Sequence, residues 1–238
     1  MKVCIIQNDP IVLLGTITEW VEKNNHEVEI YESFNDDQLP DTDDFDLAII
    51  LGGRMGAYEE KDYPAVTKVK EWTEHNINED KHIFGICLGA QIIADVTGGK
   101  TTPHDKPEVG WYDIDFNDQV NSHHLLNNNV DHNKFYEFHF DAFELPDNAI
   151  VLGSSERTKN QIFAIGNKVL GTQFHPEFNA KSITDALEHT NEEKSSKYYA
   201  QTPEEMVDEA LIKNSKRWLF NVLDNFETSI KREKSFSN

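Results

Sequence analysis

The sequence predicts an α/β fold: an open, mostly parallel sheet flanked by helices, with some antiparallel strands in the second half. Through residue 96, short apolar runs alternate with segments of helical periodicity, which is typical of parallel strands joined by helical crossovers. The run LAIIL at 47–51 is entirely apolar, as expected for a strand buried on both faces. After Gly98-Gly99, strand-like runs follow one another with only turn residues between them, which favours antiparallel pairing.

A local sequence signal supports each predicted helix and strand of the first half. Helical spacing over 11–23 follows Asp9-Pro10, which we interpret as a cap and first turn, and Pro64 opens a second helix over 64–76. A third helix, Leu88–Val96, follows directly on an apolar strand at 82–86. The other strands of this half are expected at Lys2–Gln7, 28–31 and 47–51.

The second half is expected to add short strands and two helices to one domain. The strands are predicted at 111–116, 135–138, 150–152, Ile162–Ile165 and 169–174, and the helices at 180–190 and 203–225, with a frayed tail from Lys231. We expect a single domain over 1–238, with a catalytic core at about 1–190 and a C-terminal helical segment at about 200–230.

The charge composition indicates which kinds of binding partner are unfavourable. The chain has 22 basic and 43 acidic residues, a net charge of −21, which disfavours nucleic acid and anionic membrane surfaces. Only two cysteines are present, Cys4 and Cys87, and the opening MKVCIIQ does not resemble a signal peptide. We therefore expect a cytoplasmic protein with no membrane span, no structural metal and no cofactor.

The most informative stretch is Gly85-Ile86-Cys87-Leu88-Gly89, where a predicted strand turns into a predicted helix. The two glycines allow a sharp turn, as in the nucleophile elbow of serine hydrolases, so the Cys87 thiol would point out at the sheet edge. Free N–H groups at a helix N-terminus favour a thiolate and are suited to bind an oxyanion. Taken alone, Cys87 fits a buried structural cysteine about as well.

A second group of polar residues, Gln173-Phe174-His175-Pro176-Glu177, follows another apolar strand. Residues two apart on an extended backbone point to the same side, so Glu177 is placed to hydrogen-bond His175 while the imidazole faces a thiol. Cysteine, with an ordinary pKa of about 8.5, needs such a base at neutral pH. A core histidine and a solvated carboxylate are the ordinary interpretations of these residues if each is taken singly.

Four stretches together resemble the class I, triad-type glutamine amidotransferases, which have a flavodoxin-like fold. FGICLGAQ at 84–91 and TQFHPE at 172–177 resemble the nucleophile and histidine signatures of that family. LGGRMGAYEE at 51–60 resembles its oxyanion loop, and EFHFDAFELP at 137–146 resembles the H-G-D segment of its GMP-synthase-like, stand-alone subgroup. The resemblance covers about residues 1–180.

The resemblance implies specific roles. Cys87 would be the nucleophile that attacks a γ-glutamyl amide, His175 the general acid and base, and Glu177 the residue that orients His175. The backbone N–H groups of Gly53 and Leu88 would form the oxyanion hole.

The resemblance also implies substrate contacts, and two of these differ from the family pattern. Gln91 would contact the glutamyl head group, and Gly52 would line the same loop. Arg54 stands where the family usually has proline, so its guanidinium lies beside the expected oxyanion hole and is placed to read a substrate carboxylate. Phe140 replaces the glycine of the H-G-D segment, and its bulk is expected to reshape the pocket.

Three functions stay open at this point. The first is a glutaminase or glutamine amidotransferase, with ammonia delivered to a separate synthase subunit, because the chain has no P-loop. The second is a γ-glutamyl peptide hydrolase that uses the same Cys-His-Glu triad. The third is a binding or regulatory protein on the same fold in which the triad does not assemble.

Overall fold

The computed structural model describes residues 1–127, 132–190 and 196–236. Its strands are β1 (Lys2–Gln7), β2 (Glu27–Glu32), β3 (Leu47–Ile50), β4 (His82–Ile86), β5 (Lys100–Asp113), β6 (Asp115–Phe116), β7 (Lys134–Glu144), β8 (Ala149–Ser154), β9 (Ile162–Ile165) and β10 (Val169–Thr172). Its α-helices are α1 (Ile17–Lys23), α2 (Pro64–Asn78), α3 (Leu88–Val96), α4 (Ala180–Glu188), α5 (Pro203–Met206) and α6 (Glu209–Phe236).

An eight-stranded mixed sheet has the order β2-β1-β3-β4-β10-β9-β8-β6. The strands from β2 to β10 run parallel, and β9, β8 and β6 continue the sheet in antiparallel fashion. The predicted fold class is therefore confirmed. Because β10 pairs with β4 in the register Thr172 to Ile86, the chain segments that follow these two strands emerge side by side. This pairing brings the two sequence signatures to one edge of the sheet.

A separate antiparallel ribbon of β5 and β7 is longer than predicted. We expected strands only at 111–116 and 135–138, but β5 begins at Lys100 and β7 extends to Glu144. The segment 100–108 contains Pro103, Pro107 and several charged residues, a composition typical of a loop. Pairing with β7 overrides that composition, with a register shift between Pro103 and Glu108.

The predicted helix at 11–23 is wrong in its first part, since α1 begins at Ile17. The chain from 11 to 16 is instead an irregular loop with turns, and Gly15 in it has a left-handed φ of 54°. The Thr16 N–H donates to the Glu177 carbonyl over 2.8 Å, so this contact with a distant segment replaces the first helical turns.

The C-terminal prediction is also corrected. The segment 203–225 is not one helix, because the chain breaks between α5 and α6 and the Asp208 carboxylate accepts the Ala210 and Leu211 N–H groups at 2.9 and 3.0 Å. The expected fraying from Lys231 is wrong, since α6 continues to Phe236. An apolar stripe holds this helix on the core: Trp218, Leu219, Val222, Leu223, Phe226 and Ile230 are buried.

The other predicted helix and strand ends lie within two residues of those observed. In the described parts of the chain, no helix combines the length and the apolar character that crossing a bilayer requires.

Candidate active site

Cys87 lies at a sharp turn between β4 and α3, as predicted, with a φ of 52° and a ψ of −107°. A methyl group placed on Gly89 would lie 2.8 Å from the Ile50 carbonyl carbon, and one on Gly85 would lie 2.6 Å from the Gly89 carbonyl carbon. Glycine at both positions is therefore required for α3 to pack this closely against β3 and β4. That close packing fixes the strained backbone of Cys87.

His175 and Glu177 lie beside Cys87 after β10. The His175 Nδ1 is 2.7 Å from a Glu177 carboxylate oxygen, and both side chains are almost fully buried. A methyl group placed on Gly52 would lie 3.1 Å from His175 Cε1 and 3.4 Å from Cys87 Cβ, so Gly52 is flanked by both residues. The backbone N–H of His175 also donates to the Tyr136 carbonyl over 2.8 Å, and this hydrogen bond holds the His175 backbone against β7.

The electrostatics of His175 are set by its two neighbours. Burial lowers the pKa of His175, but the negative charge of Glu177 and the adjacent Cys87 outweigh this and raise it to about 10. At neutral pH, the imidazole in this setting is protonated. It is therefore prepared to donate a proton and to stabilise a neighbouring thiolate.

A buried amide pair also lies near the thiol. The Gln173 side-chain NH₂ is 3.6 Å from the Cys87 sulfur, and Gln91 donates to the Gln173 side-chain carbonyl over 3.3 Å. The predicted residue Gln91 thus lines the cleft and positions Gln173. Gln173 was missed by the sequence analysis, although it lies within TQFHPE, two residues before His175 and on the same side of an extended chain.

Gly53 and Leu88, the residues expected to supply the oxyanion donors, are neighbours in space. Leu88 is the first residue of α3, so its N–H has no acceptor within the helix. A methyl group on Gly53 would lie 2.8 Å from Leu88 Cδ2. The N–H of the next residue, Arg54, is held by the Asp9 carboxylate at 3.2 Å, which anchors the loop just beyond Gly53.

Arg54 lines the cleft, but its guanidinium is already paired. It donates two hydrogen bonds to Asp9, at 2.7 and 3.1 Å. Burial raises the pKa of the Asp9 carboxyl, but the hydrogen bonds from Arg54 and Ile11 outweigh it and leave the pKa below its ordinary value. The pair joins the segment after β1 to the loop after β3, on the rim of the cleft.

At the wall of the cleft, His139 lies between two buried carboxylates. Its Nδ1 donates to the Asp141 carbonyl over 2.8 Å, and its Nε2 is 3.1 Å from Glu108 and 3.2 Å from Glu137. Burial lowers the pKa of His139, but the two carboxylates raise it well above its ordinary value. Glu108 also accepts hydrogen bonds from Ser155, Thr158 and Gln161.

Glu137 is the least satisfied member of this cluster. Neither of its carboxylate oxygens accepts a hydrogen bond of good geometry, and burial raises its pKa to about 7. Glu108, Glu137 and His139 offer three possible metal-ligand atoms within 4.8 Å of one another, the only such group in the described parts of the chain. The imidazolium of His139 already supplies, between the two carboxylates, the positive charge that a metal ion would bring. These three side chains therefore do not require a bound metal ion.

A cleft of about 250 Å³ opens over Cys87. Of the residues predicted from sequence, Cys87, His175, Gln91, Gly53, Arg54 and Phe140 line it. Glu177 lies behind His175, and Gly52 lies beneath the thiol and the imidazole. The remaining lining has an apolar majority, Ile11, Val12, Leu13, Met55, Phe138, Phe178 and Ala186, and a polar minority, His139, Asp141, Ser182, His189 and Thr190.

Comparison with known proteins shows the family to which the chain belongs. The family model of class I glutamine amidotransferases matches residues 14–191. The chain is 25% identical over 197 residues to the putative glutamine amidotransferase-like protein YfeJ of Salmonella typhimurium, which covers 81% of this chain and 82% of that protein. It is 30% identical over 136 residues to a glutamine-hydrolysing GMP synthase subunit from Sulfurisphaera tokodaii, covering 56% and 68% of the two chains.

Gamma-glutamyl peptidase 2 of Arabidopsis thaliana is 30% identical over 125 residues, which is 48% of this chain and 47% of that protein. In a crystal structure of a glutamine amidotransferase from Thermotoga maritima, the same fold recurs with a TM-score of 0.85 and 26% identity, covering 95% and 97% of the two chains. The chain therefore belongs to the class I glutamine amidotransferase family.

Proposed function

We propose that this protein hydrolyses the γ-amide of glutamine, or of a related γ-glutamyl compound, through a thioester on Cys87. The observation that carries the proposal is the arrangement at the sheet edge: a cysteine at an elbow, a histidine beside it whose pKa is raised to about 10, and a buried carboxylate 2.7 Å from that histidine. No cofactor is needed for this chemistry.

Acylation begins when the Cys87 sulfur, as thiolate, attacks the γ-carbonyl carbon and forms a C–S bond. The carbonyl π electrons move to oxygen, where the N–H groups of Gly53 and Leu88 would stabilise the negative charge. Loss of one such donor typically lowers the rate about 10²–10³-fold. When the C–N bond then breaks, His175 gives its proton to the leaving nitrogen and Glu177 holds the imidazole in place.

Deacylation reverses the role of His175. The imidazole, now neutral, takes a proton from a water molecule that attacks the thioester carbon. The C–S bond breaks, glutamate leaves, and the proton returns to the Cys87–His175 pair. The buried Gln173 amide, 3.6 Å from the sulfur, helps to stabilise the thiolate in both half-reactions.

The relatives support two versions of this activity. Similarity to a glutamine-hydrolysing GMP synthase subunit favours glutamine as the substrate, with the ammonia passed to a separate synthase polypeptide. Similarity to a gamma-glutamyl peptidase, together with the bulk of Phe140 in the cleft, favours hydrolysis of a larger γ-glutamyl compound. A non-catalytic role is the least favoured, because the three triad side chains lie together.

Labelling of the thiol tests the proposal directly. A chloroketone analogue of glutamine should alkylate Cys87 stoichiometrically, and mass spectrometry of the digested protein identifies the site. Cys87→Ala should abolish both labelling and glutamate release. Cys4→Ala is the matched control, because Cys4 is also buried but lies in β1, where burial raises its pKa far above the ordinary value and keeps it a thiol.

Two outcomes would contradict the proposal. One is Cys87→Ala enzyme that still releases glutamate at the wild-type rate. The other is a wild-type protein that neither reacts with the analogue nor turns over any γ-glutamyl amide, which would favour the binding or regulatory role.

A further inference from the structure

The position of His175 shows which part of the cleft receives the leaving group. Because His175 protonates the departing nitrogen, any substituent on that nitrogen must lie on the His175 side of Cys87. The Phe178 ring lies on that side, with its centroid 4.1 Å from that of the imidazole. Val12 borders the same region, since its Cγ1 would be 3.8 Å from a methyl group on Gly52.

This side of the cleft has apolar walls. Ile11, Val12 and Leu13 come from the segment before α1, and Leu13 is 38% exposed. Phe138 and Phe140 line the same cleft from β7, with ring centroids 6.2 Å apart, and pack into the same apolar cluster as Phe178. Ammonia has no apolar surface, so as a leaving group it gains nothing from walls of this kind.

The guanidinium and carboxylate groups on the walls are already paired. Among the described residues that line the cleft, Arg54 is the only lysine or arginine, and Asp9 holds its guanidinium with two hydrogen bonds. Asp141 accepts from the Tyr58 hydroxyl over 2.9 Å, and His139 is enclosed by Glu108 and Glu137. A leaving group with a free carboxylate would therefore have to break the Arg54–Asp9 pair to reach a guanidinium. The other imidazole on the wall, His189, is hydrogen-bonded through Nδ1 to the Asp185 carbonyl at 2.8 Å.

We propose that the walls of Val12, Leu13, Phe138, Phe140 and Phe178 form a leaving-group subsite, and that the preferred substrate is a γ-glutamyl amide of an apolar amine. This inference rests on the proposed function and names its substrate class. The Cys87 sulfur replaces the amine at the γ-carbon, the amine leaves with the proton of His175, and water releases glutamate from the thioester. The products are glutamate and a free alkyl- or arylalkylamine.

The test compares leaving groups of similar basicity. Purified protein is given glutamine, γ-glutamylethylamide, γ-glutamylbenzylamide and γ-glutamylglycine, and glutamate and the amine are measured separately. We expect kcat/KM to rise from glutamine to ethylamide to benzylamide, with benzylamide at least about tenfold above glutamine, since one methylene group in an apolar pocket is worth about 10–200-fold. γ-Glutamylglycine should be the poorer of the substituted substrates.

Two variants test whether residues of the subsite cause the preference for an apolar amine. Leu13→Ala and Phe140→Ala should each reduce the ratio of benzylamide to glutamine kcat/KM by about tenfold. Ile150→Ala is the matched control, because Ile150 on β8 is 39% exposed, close to the 38% of Leu13, and lies outside the cleft. This variant should leave the ratio unchanged.

Each other outcome has a definite meaning. Equal turnover of all four compounds, or a ratio that Leu13→Ala and Phe140→Ala do not change, would overturn the inference while leaving the thioester mechanism in place. Preference for γ-glutamylglycine that is lost in Arg54→Ala would overturn it in favour of a carboxylate-bearing leaving group. If no compound is turned over and Cys87 is not labelled, the proposed function fails, and this inference fails with it.

Discussion

Replacement of Gly15 by alanine should disable the active site through one methyl group. The added Cβ would lie 2.9 Å from the Glu177 carbonyl carbon and closer still to its oxygen, so the two backbone segments must separate. A left-handed φ, here 54°, costs a non-glycine residue about 1–2 kcal/mol. Loss of the Thr16 to Glu177 hydrogen bond, now 2.8 Å, adds about 1 kcal/mol.

The larger effect falls on catalysis. Displacement of the Glu177 backbone moves the carboxylate that holds His175 at 2.7 Å, and a misplacement of about 1 Å costs roughly 10²-fold in rate. We therefore expect Gly15→Ala to lower kcat/KM by about 10²-fold. The assay is glutamate release from the best γ-glutamyl amide, together with the rate of Cys87 alkylation.

Gly166→Ala provides the matched control. Gly166 also has a positive φ, 57°, but nothing lies within 4 Å of an added methyl group. Both variants should therefore lose about 1–2 kcal/mol of unfolding free energy from backbone strain. Gly15→Ala should lose about 1 kcal/mol more with its hydrogen bond, and only Gly15→Ala should lose activity. Wild-type kcat/KM in Gly15→Ala, or an equal loss in Gly166→Ala, would refute the reasoning.

Three further predictions concern acidity and packing. Because the pKa of His175 is raised to about 10, kcat/KM should fall on the alkaline side only as the pH approaches about 10, which a profile over about pH 6–11 will show; a fall near pH 6.5 would contradict the ion-pair arrangement. Burial raises the pKa of Glu137 from about 4.5 in the unfolded chain to about 7 in the folded protein, so ionisation of Glu137 lowers the stability as the pH rises from about 4.5 to about 7. Glu137→Gln should therefore have a higher Tm than wild type at pH 8 but not at pH 4.5. An equal difference in Tm at both pH values would contradict this. Trp218→Ala should lower the free energy of unfolding, measured in urea, by about 3–5 kcal/mol, because the Trp218 side chain is 1% exposed and packs on Phe135 and Phe174. The Phe236 side chain is 79% exposed, so Phe236→Ala should change the same free energy by no more than about 0.5 kcal/mol.

The fold class and the neighbouring positions of Cys87 and His175 could be predicted because each depends on short-range pattern. An apolar strand followed by glycine and a helix places a residue at the sheet edge, and two such strands that lie parallel bring their ends together. The strand bounds near the site were correspondingly accurate: β4 and α3 begin and end at the predicted residues.

The supporting contacts could not be predicted in the same way. Thr16 and Glu177 are 161 residues apart in sequence, and no local pattern at 11–16 distinguishes a loop over the site from the first turns of a helix. The long strand β5 was missed because its prolines and charges are typical of loops, yet Glu108 lies on it and pairs with His139. These features follow from tertiary contacts, which override local propensity.

Strand β7 has two faces that do separate tasks. Phe138 and Phe140 line the cleft, while Glu137 and His139, which alternate with them along the strand, belong to the buried ionic cluster. Side chains that alternate along one strand can be exchanged on one face without touching the other. Substrate range and scaffold rigidity are thus encoded at interleaved positions, so a lineage is free to acquire a new leaving-group preference by substitutions at 138 and 140 while the charged residues stay fixed.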